Sequence, residues 1–251
     1  MEITLTSWIL GLAAALLVGF SKTGLPGLVI LIVPMLAAVF PAKLSVGALL
    51  PMLLLGDMFA IVRYRQYTQW RKLWRLLPFV FIGMIPARFL LASISDEPFK
   101  LVLGILVLLL ILVELARRRY NWERMPRSLV FTAAMGILAG FATTIGNVGG
   151  PIMSVYLLSM GMDKHEFIGT GAWFYLIVNV TKIPIFAQLG MITAETLHFD
   201  FISAPLIIIG ALLGIIALPK IPQNVFAGLI FVLATIAAFG LIYAVLYSSG
   251  I

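Results

Sequence analysis

The sequence contains no cysteine, few charges and only two histidines, and each shortage excludes a class of protein. Without cysteine there is no disulfide, thiolate metal site or cysteine nucleophile, and two histidines are too few for the usual histidine metal centre. Charged residues make up 11% of the chain, where about 25% is usual. Hydrophobic residues make up 62%, more than a soluble domain of 251 residues hides from water. Lipid is therefore the solvent for most of the chain, which excludes a soluble enzyme, a nucleic-acid-binding protein and a disordered scaffold.

Ten apolar segments lie between charged or Pro/Gly-rich breaks, and a hydrocarbon core of about 30 Å needs roughly 20 apolar helical residues per crossing. The segments are 5–22, 26–40, 46–62, 76–92, 98–115, 128–146, 150–161, 167–189, 199–218 and 224–247. The second and seventh are short for a full crossing. Because Glu2 replaces the basic start of a signal peptide, we expect the first segment to stay in the membrane. The sequence therefore predicts an all-α polytopic membrane protein.

The basic residues are divided unevenly between alternate loops. One set of loops carries twelve of them, and the other set carries only Lys43 and Lys100. The twelve are Arg63, Arg65, Arg71, Lys72, Arg75, Arg117, Arg118, Arg119, Arg124, Arg127, Lys164 and Lys220. The positive-inside rule makes the first set cytoplasmic, so both termini are predicted outside the cytoplasm of a cell whose inner (plasma) membrane holds the protein. Trp70, Trp74 and Trp122, beside the basic loops, are predicted interfacial anchors.

The two halves of the chain share a weak but ordered similarity. Leu-Val-Gly-Phe at 17–20 precedes a polar, glycine-rich break at 21–27, and Leu-Ala-Gly-Phe at 138–141 precedes a similar break at 143–151. Further matches in spacing relate Gly47, Asp57 and Gln66 to Gly169, Asn179 and Gln188, and Pro78 and Gly83 to Pro205 and Gly210. In each copy a proline opens the short apolar run that follows the break.

Each half carries five segments, an odd number, so the second half enters the membrane from the opposite side. We therefore predict two inverted transmembrane repeats, residues 1–115 and 128–251, with broken or short helices at the centre. A basic cytoplasmic linker, 116–127, joins them. Inverted repeats of this kind recur in secondary transporters, where the binding site lies near mid-membrane at the repeat interface.

The two breaks are the candidate binding site. Irregular chain at membrane depth must line a cavity or be packed in protein; glycine-rich turns at the membrane surface are the alternative. Free amides, positive helix ends and neighbouring hydroxyls favour a small, oxygen-rich anion. The predicted substrate-binding residues of the breaks are Lys22, Thr23, Gly24, Gly27, Thr143, Thr144, Asn147, Gly149 and Gly150.

Ionisable residues inside predicted spans indicate function because they are costly in lipid. Asp57 and Arg88 are the candidate coupling residues, with Asp57 taking up and releasing a proton during transport. The alternatives are a static pair of Asp57 with Arg88 or Lys22, and an Arg88 that reaches the interface. Asn179 and Lys182 share a helix face that could line the anion path, although Lys182 could also reach headgroups. Pro184 is expected to interrupt that helix.

The order of spans and two motifs identify a family. The Gly-Phe…Gly-x-Pro-Gly break at 19–27 and the Gly-Phe…Gly-Asn-Val-Gly-Gly-Pro break at 140–151 resemble the sulfite exporter TauE/SafE family. The resemblance covers roughly residues 8–245. It implies a multi-pass permease that moves sulfur-containing anions such as sulfite or organosulfonates.

We predict a secondary transporter that moves a small sulfur-containing anion by alternating access. An anion channel, or a transporter of another small carboxylate or oxyanion, is the alternative. No nucleotide-binding loop is present, so the energy would come from an ion gradient or the substrate gradient. The sequence also lacks the common hydrolase and metalloprotease motifs, so we predict that it is not an enzyme. The predicted partners are the anion and membrane lipid, without nucleic acid, metal or cofactor; whether the protein forms a homodimer stays open.

Overall fold

The computed structural model describes residues 5–24, 28–120 and 128–217, and within these ranges the chain is helical with no strand. The helices are α1 (Leu5–Thr23), α2 (Val29–Ala37), α3 (Ala42–Tyr64), a 3-10 turn (Arg65–Tyr67), α4 (Trp70–Ser93), α5 (Asp96–Tyr120), α6 (Leu129–Gly146), α7 (Gly150–Ser159), α8 (Lys164–Gln188) and α9 (Ala194–Ala217). The predicted tenth segment 224–247, Gly27, Trp122, Lys220 and the linker residues 121–127 lie outside the described ranges.

Six of the described helices are long and apolar enough to cross a membrane. They are Leu5–Thr23, Ala42–Tyr67, Trp70–Ser93, Leu129–Gly146, His165–Gln188 and Ala194–Ala217. Helices α2 and α7 have only 9 and 10 residues, which at 1.5 Å per residue gives each a length of about 15 Å. The prediction of an all-α membrane protein is confirmed, and α2 and α7 are too short to cross the hydrocarbon core by themselves.

Polar side chains define several helix ends. Asp96, at the start of α5, accepts hydrogen bonds from the amides of Ala42 (2.8 Å) and Lys43 (3.0 Å), so it caps α3 from a distant part of the chain. Asp163 and Glu166 form a capping box at the start of α8. The predicted interruption at Pro184 is wrong, because α8 continues through the proline to Gln188. The bond lost at one proline does not outweigh the packing of the rest of this long helix.

Glycines bring α1 and α9 into backbone contact. A Cβ on Gly19 would overlap the carbonyl oxygen of Ile207, and a Cβ on Gly210 would overlap the carbonyl oxygen of Leu16. The absence of both side chains lets the two helix backbones approach closely, which is how small residues promote helix packing in lipid.

Helices α4 and α6 meet in the same way. A Cβ on Gly140 would overlap the carbonyl oxygen of Val80, and a Cβ on Gly83 would overlap that of Ile137. The four glycines of these two contacts occupy positions that match between the halves of the sequence. Thus the first helix of each half packs against the fourth helix of the other through equivalent residues.

Candidate functional site

A cavity of about 50 Å³ lies where both breaks meet α3 and α8. Its lining residues are Ser21, Lys22, Val29, Leu53, Asp57, Thr143, Asn147, Gly150, Met153, Ser154, Leu157, Phe167, Ile168, Gly171, Ala172, Tyr175 and Asn179. Ser21 and Lys22 come from the end of α1, Thr143 and Asn147 from the end of α6, and Gly150 from the start of α7. Described residues of both matching breaks are therefore brought to one cavity.

Lys22 and Asp57 form an ion pair at the cavity, with 2.6 Å between Nζ and Oδ1. Asp57 is fully buried, and its Oδ2 accepts a hydrogen bond of 2.8 Å from the side-chain amide of Asn179. The ammonium of Lys22 also lies over the ring of Tyr175, 4.4 Å from its centroid. A Cβ on Gly56 would lie 2.8 Å from Cγ of Lys22, so this glycine makes room for the lysine stem. Asp57 thus pairs with Lys22, one of the two partners expected for a static pair.

Lys182 is fully buried beside the cavity. Its ammonium donates to the carbonyl oxygen of Thr143 at 3.1 Å and to the side-chain oxygen of Asn147. The alternative in which Lys182 reaches headgroups is therefore wrong. No carboxylate pairs with Lys182 among the described residues, so this part of the molecule buries two lysines and one aspartate. The cluster therefore contains one more basic group than acidic groups.

Asn147 joins the end of α6 to the cavity. It is left-handed, with φ of 58°, a conformation that stops a helix and that asparagine tolerates better than most residues. Its backbone N–H donates to the carbonyl of Thr143 at 3.0 Å, and its side-chain amide donates to the carbonyl of Val46 at 2.9 Å. One residue therefore breaks the helix, holds α3 and fixes the ammonium of Lys182.

The start of α7 also faces the cavity. Gly150 lines it, Gly149 precedes the helix, and Pro151 occupies the first turn. The amides of a first turn lack intrahelical partners and carry the positive end of the helix dipole. A Cβ on Gly150 would lie 3.8 Å from the hydroxyl of Tyr175, at the cavity wall. A helix start of this kind favours an anion.

Two predicted hydroxyls are not brought to the cavity. Thr23 donates to the carbonyl of Ala211 in α9 at 2.7 Å, and Thr144 donates to the carbonyl of Gly140 at 2.8 Å. Both side chains are fully buried. They stabilise helix packing and the helix backbone instead of presenting a hydroxyl to the cavity.

Three other predicted residues also lie away from the cavity lining. The amide of Gly24 is not free, because α1 continues one residue further than expected and this N–H donates to the carbonyl of Phe20 at 2.9 Å. Gly149 is the buried residue that precedes α7, and it is not part of the cavity lining. Arg88 is exposed on α4, where it donates to the side-chain oxygen of Gln188 at 3.1 Å.

Sequence reasoning missed Tyr175 and Ser21, although helix spacing offered a signal for the tyrosine. Tyr175 precedes Asn179 by four residues, and such residues share a helix face. The face predicted from Asn179 and Lys182 therefore extends to Tyr175. Ser21 lines the cavity, but its hydroxyl donates to the carbonyl of Val18 at 2.9 Å, within its own helix.

A family model described as Sulfite exporter TauE/SafE matches residues 11–241 of the chain. No curated protein and no solved structure matches the chain at a significant level. The matched range includes both breaks and every residue of the cavity lining.

Proposed function

Because the chain belongs to the sulfite exporter TauE/SafE family, we propose that it is a secondary transporter of a small, singly charged sulfur oxyanion or organosulfonate. The cavity is the substrate site, and the protein works in the inner (plasma) membrane by alternating access. The family itself consists of membrane exporters of sulfite and related anions.

The observation that carries the proposal is the one basic group in excess in the buried cluster. Lys22 and Asp57 neutralise each other across 2.6 Å, whereas Lys182 has only neutral oxygens around its ammonium among the described residues. An uncompensated buried charge costs several kcal/mol by order of magnitude. When Lys182 is protonated, a singly charged anion beside the cluster removes that cost, whereas a dianion would leave an excess negative charge.

An unpaired hydrogen-bond acceptor at the cavity further restricts which substrates fit. The side-chain oxygen of Asn179 is buried and has no hydrogen-bond partner among the described residues. Because the amide nitrogen of Asn179 must face Asp57 to donate its bond, the oxygen cannot exchange places with it. An unpaired buried acceptor costs about 1–3 kcal/mol. A substrate that carries both a negative charge and a hydroxyl, as hydrogen sulfite does, satisfies this oxygen.

The size of the cavity agrees with a small substrate. One water needs about 10–15 Å³ of such volume, so a cavity of about 50 Å³ holds roughly four water-sized groups. That is the size of a sulfur atom with three oxygens. Larger organosulfonates require the cavity to widen, which makes their relative affinity a measurable test of this assignment.

The contacts between matching glycines support alternating access by two halves of opposite orientation. Each half contributes a first helix that packs against the fourth helix of the other, and each contributes a break to the cavity. Rocking of one such half against the other around a central site is the usual mechanism of inverted-repeat transporters.

Asp57 is the proposed proton-coupling residue. An anion that arrives beside Lys22 competes with the carboxylate for the same ammonium, and a protonated Asp57 releases that ammonium to the anion. Asn179, the matching residue in the second half, cannot titrate. We expect Asp57→Asn to transport without dependence on a pH gradient. Unchanged pH dependence in proteoliposomes would remove Asp57 from the coupling mechanism.

The test of the proposed function has two stages. Purified protein is screened by thermal shift with sulfite, sulfate, thiosulfate, methanesulfonate and carboxylates, because a ligand of the folded state raises apparent stability. Sulfite at a pH where hydrogen sulfite dominates should give the largest shift. Counterflow is then measured in liposomes. Saturable counterflow supports a carrier, ohmic current supports the channel alternative, and a larger shift with carboxylates than with any sulfur anion would contradict the proposed substrate.

A further inference from the structure

A second, larger cavity of about 360 Å³ lies between the starts of α4 and α6 and the end of α7. Its lining shares no residue with the central cavity. Its polar side chains are three cations and three hydroxyls: Arg71, Lys72, Arg75, Ser128, Thr132 and Tyr156. We infer that this basic cavity binds a phosphate group, carried by the headgroup of an anionic lipid.

Three positively charged side chains line the basic cavity, and its described lining residues include no carboxylate. Arg71 and Arg75 are exposed and lie four residues apart on α4, so both point from the same helix face. Lys72 is half-buried and donates to the carbonyl of Met160 at 3.1 Å. Tyr156 donates to the carbonyl of Lys72 at 3.2 Å, so α7 holds this wall in place. Two forked guanidinium groups on one helix face suit the oxygens of a phosphate.

Two helix starts add to the positive potential. Helix α4 begins at Trp70 and α6 begins at Leu129, and both helices begin at the edge of the cavity. The hydroxyl of Ser128 satisfies one amide of α6, that of Phe131 at 3.1 Å. The positive ends of both helix dipoles, from helices of 24 and 18 residues, remain directed at this region. The cavity therefore attracts an anion independently of the three cationic side chains.

The tryptophans indicate why the phosphate comes from lipid. Trp70 and Trp74 lie in the first two turns of α4, as Arg71 and Arg75 do. Their side chains are 40% and 61% exposed, and their ring centroids are 6.3 Å apart. Exposed tryptophans of a membrane protein favour the headgroup level of the bilayer. Basic pockets between helices at that level are suited to lipid phosphates. We therefore expect the cavity to lie at the depth where phosphates of the membrane are abundant.

The test uses the full chain and a matched pair of double variants. Arg71→Gln/Arg75→Gln removes two cations from the basic cavity, and Arg63→Gln/Arg65→Gln removes two exposed cations that do not line it. Native mass spectrometry measures the retention of phosphatidylglycerol against phosphatidylcholine. Glycerol 3-phosphate and inorganic phosphate serve as soluble probes. Thermal unfolding of both variants checks that they fold.

We expect phosphatidylglycerol to bind the Arg71→Gln/Arg75→Gln protein about tenfold more weakly than the unaltered protein, as the loss of two charge-assisted contacts predicts. The matched control should retain the lipid. If the soluble phosphates show the same loss and the lipid shows no advantage over them, the site still binds phosphate, but from solution. Equal weakening in both variants, or no binding of any phosphate probe to the unaltered protein, would overturn the inference.

Discussion

Lys22, Asp57 and Lys182 give the central cavity a charge that single substitutions change in opposite directions. With Lys182 protonated and Asp57 ionised, Lys22→Gln leaves a neutral cluster, whereas Lys22→Gln/Asp57→Asn restores one net positive charge through Lys182. We therefore expect Lys22→Gln/Asp57→Asn to bind the anion better than Lys22→Gln.

We predict that Lys22→Gln weakens sulfite binding at least about tenfold and lowers the free energy of unfolding by about 3 kcal/mol, because Asp57 is left buried without its partner. Lys22→Gln/Asp57→Asn should recover much of both losses. Isothermal calorimetry and denaturant unfolding measure the two effects. Arg65→Gln, which removes an exposed cation, is the matched control. A double variant that binds no better than the single variant would refute the charge argument.

Two substitutions of Asn147 separate the effect of its backbone conformation from the effect of its side-chain hydrogen bonds. Asn147→Gly removes the Cβ and accepts φ of 58° freely, whereas Asn147→Ala keeps the Cβ but loses the polar side chain that helps asparagine adopt this conformation, at a cost of about 1–2 kcal/mol. Both variants lose the bonds to Lys182 and Val46. We predict weaker anion binding in both, with the alanine variant unfolding at a lower temperature than the glycine variant. Equal unfolding temperatures would show that the left-handed turn is not strained by a side chain.

Sequence reasoning reached part of this residue-level description. Lys22, Asp57, Thr143, Asn147, Gly150 and Asn179 line the cavity as predicted positions, because breaks and buried charges are visible in the sequence. The hydroxyl of Thr23 was expected in the cavity and instead donates to Ala211. Sequence spacing does not show which side of the helix end faces a distant helix, so the direction of this side chain could not be predicted.

At the level of elements, the bounds of the helices follow closely from the apolar runs. The first segment was predicted at 5–22 and α1 spans Leu5–Thr23; the eighth was predicted at 167–189 and α8 spans Lys164–Gln188. Starts differ more than ends where polar residues such as those of the capping box continue a helix into the loop. Which helices touch could not be predicted, because the matching glycines indicate a repeat without showing which helices they bring together.

The backbone contact of α4 with α6 leads to a prediction for helix packing. Gly140→Ala should lower the free energy of unfolding by about 2 kcal/mol or more, because its Cβ overlaps a backbone carbonyl that cannot rotate away. Gly171→Ala is the matched control, since a Cβ there lies 3.7 Å from a leucine methyl group, an ordinary contact. Thermal unfolding in detergent compares them. A control as unstable as Gly140→Ala would contradict this account of the contact.

For the whole molecule, orientation in the membrane is a prediction that its lack of cysteine makes easy to test. Single cysteines at Gln66 and Ala194, both exposed, mark the two predicted sides. In intact cells a membrane-impermeant thiol reagent should label Ala194→Cys and leave Gln66→Cys unlabelled until the membrane is permeabilised. The reverse pattern would invert the topology derived from the positive-inside rule.

Helix α7 contributes to both cavities: Gly150 and Met153 line the central one, and Tyr156 and Met160 line the basic one. A helix of this length behaves as a rigid rod of about 15 Å. If a ligand bound at one end of α7 favours a particular position of the helix, then binding of the anion and binding of the lipid are coupled. Thermodynamic linkage then requires reciprocity, so any factor by which bound lipid alters the affinity for the transported anion is also the factor by which that anion alters the affinity for lipid.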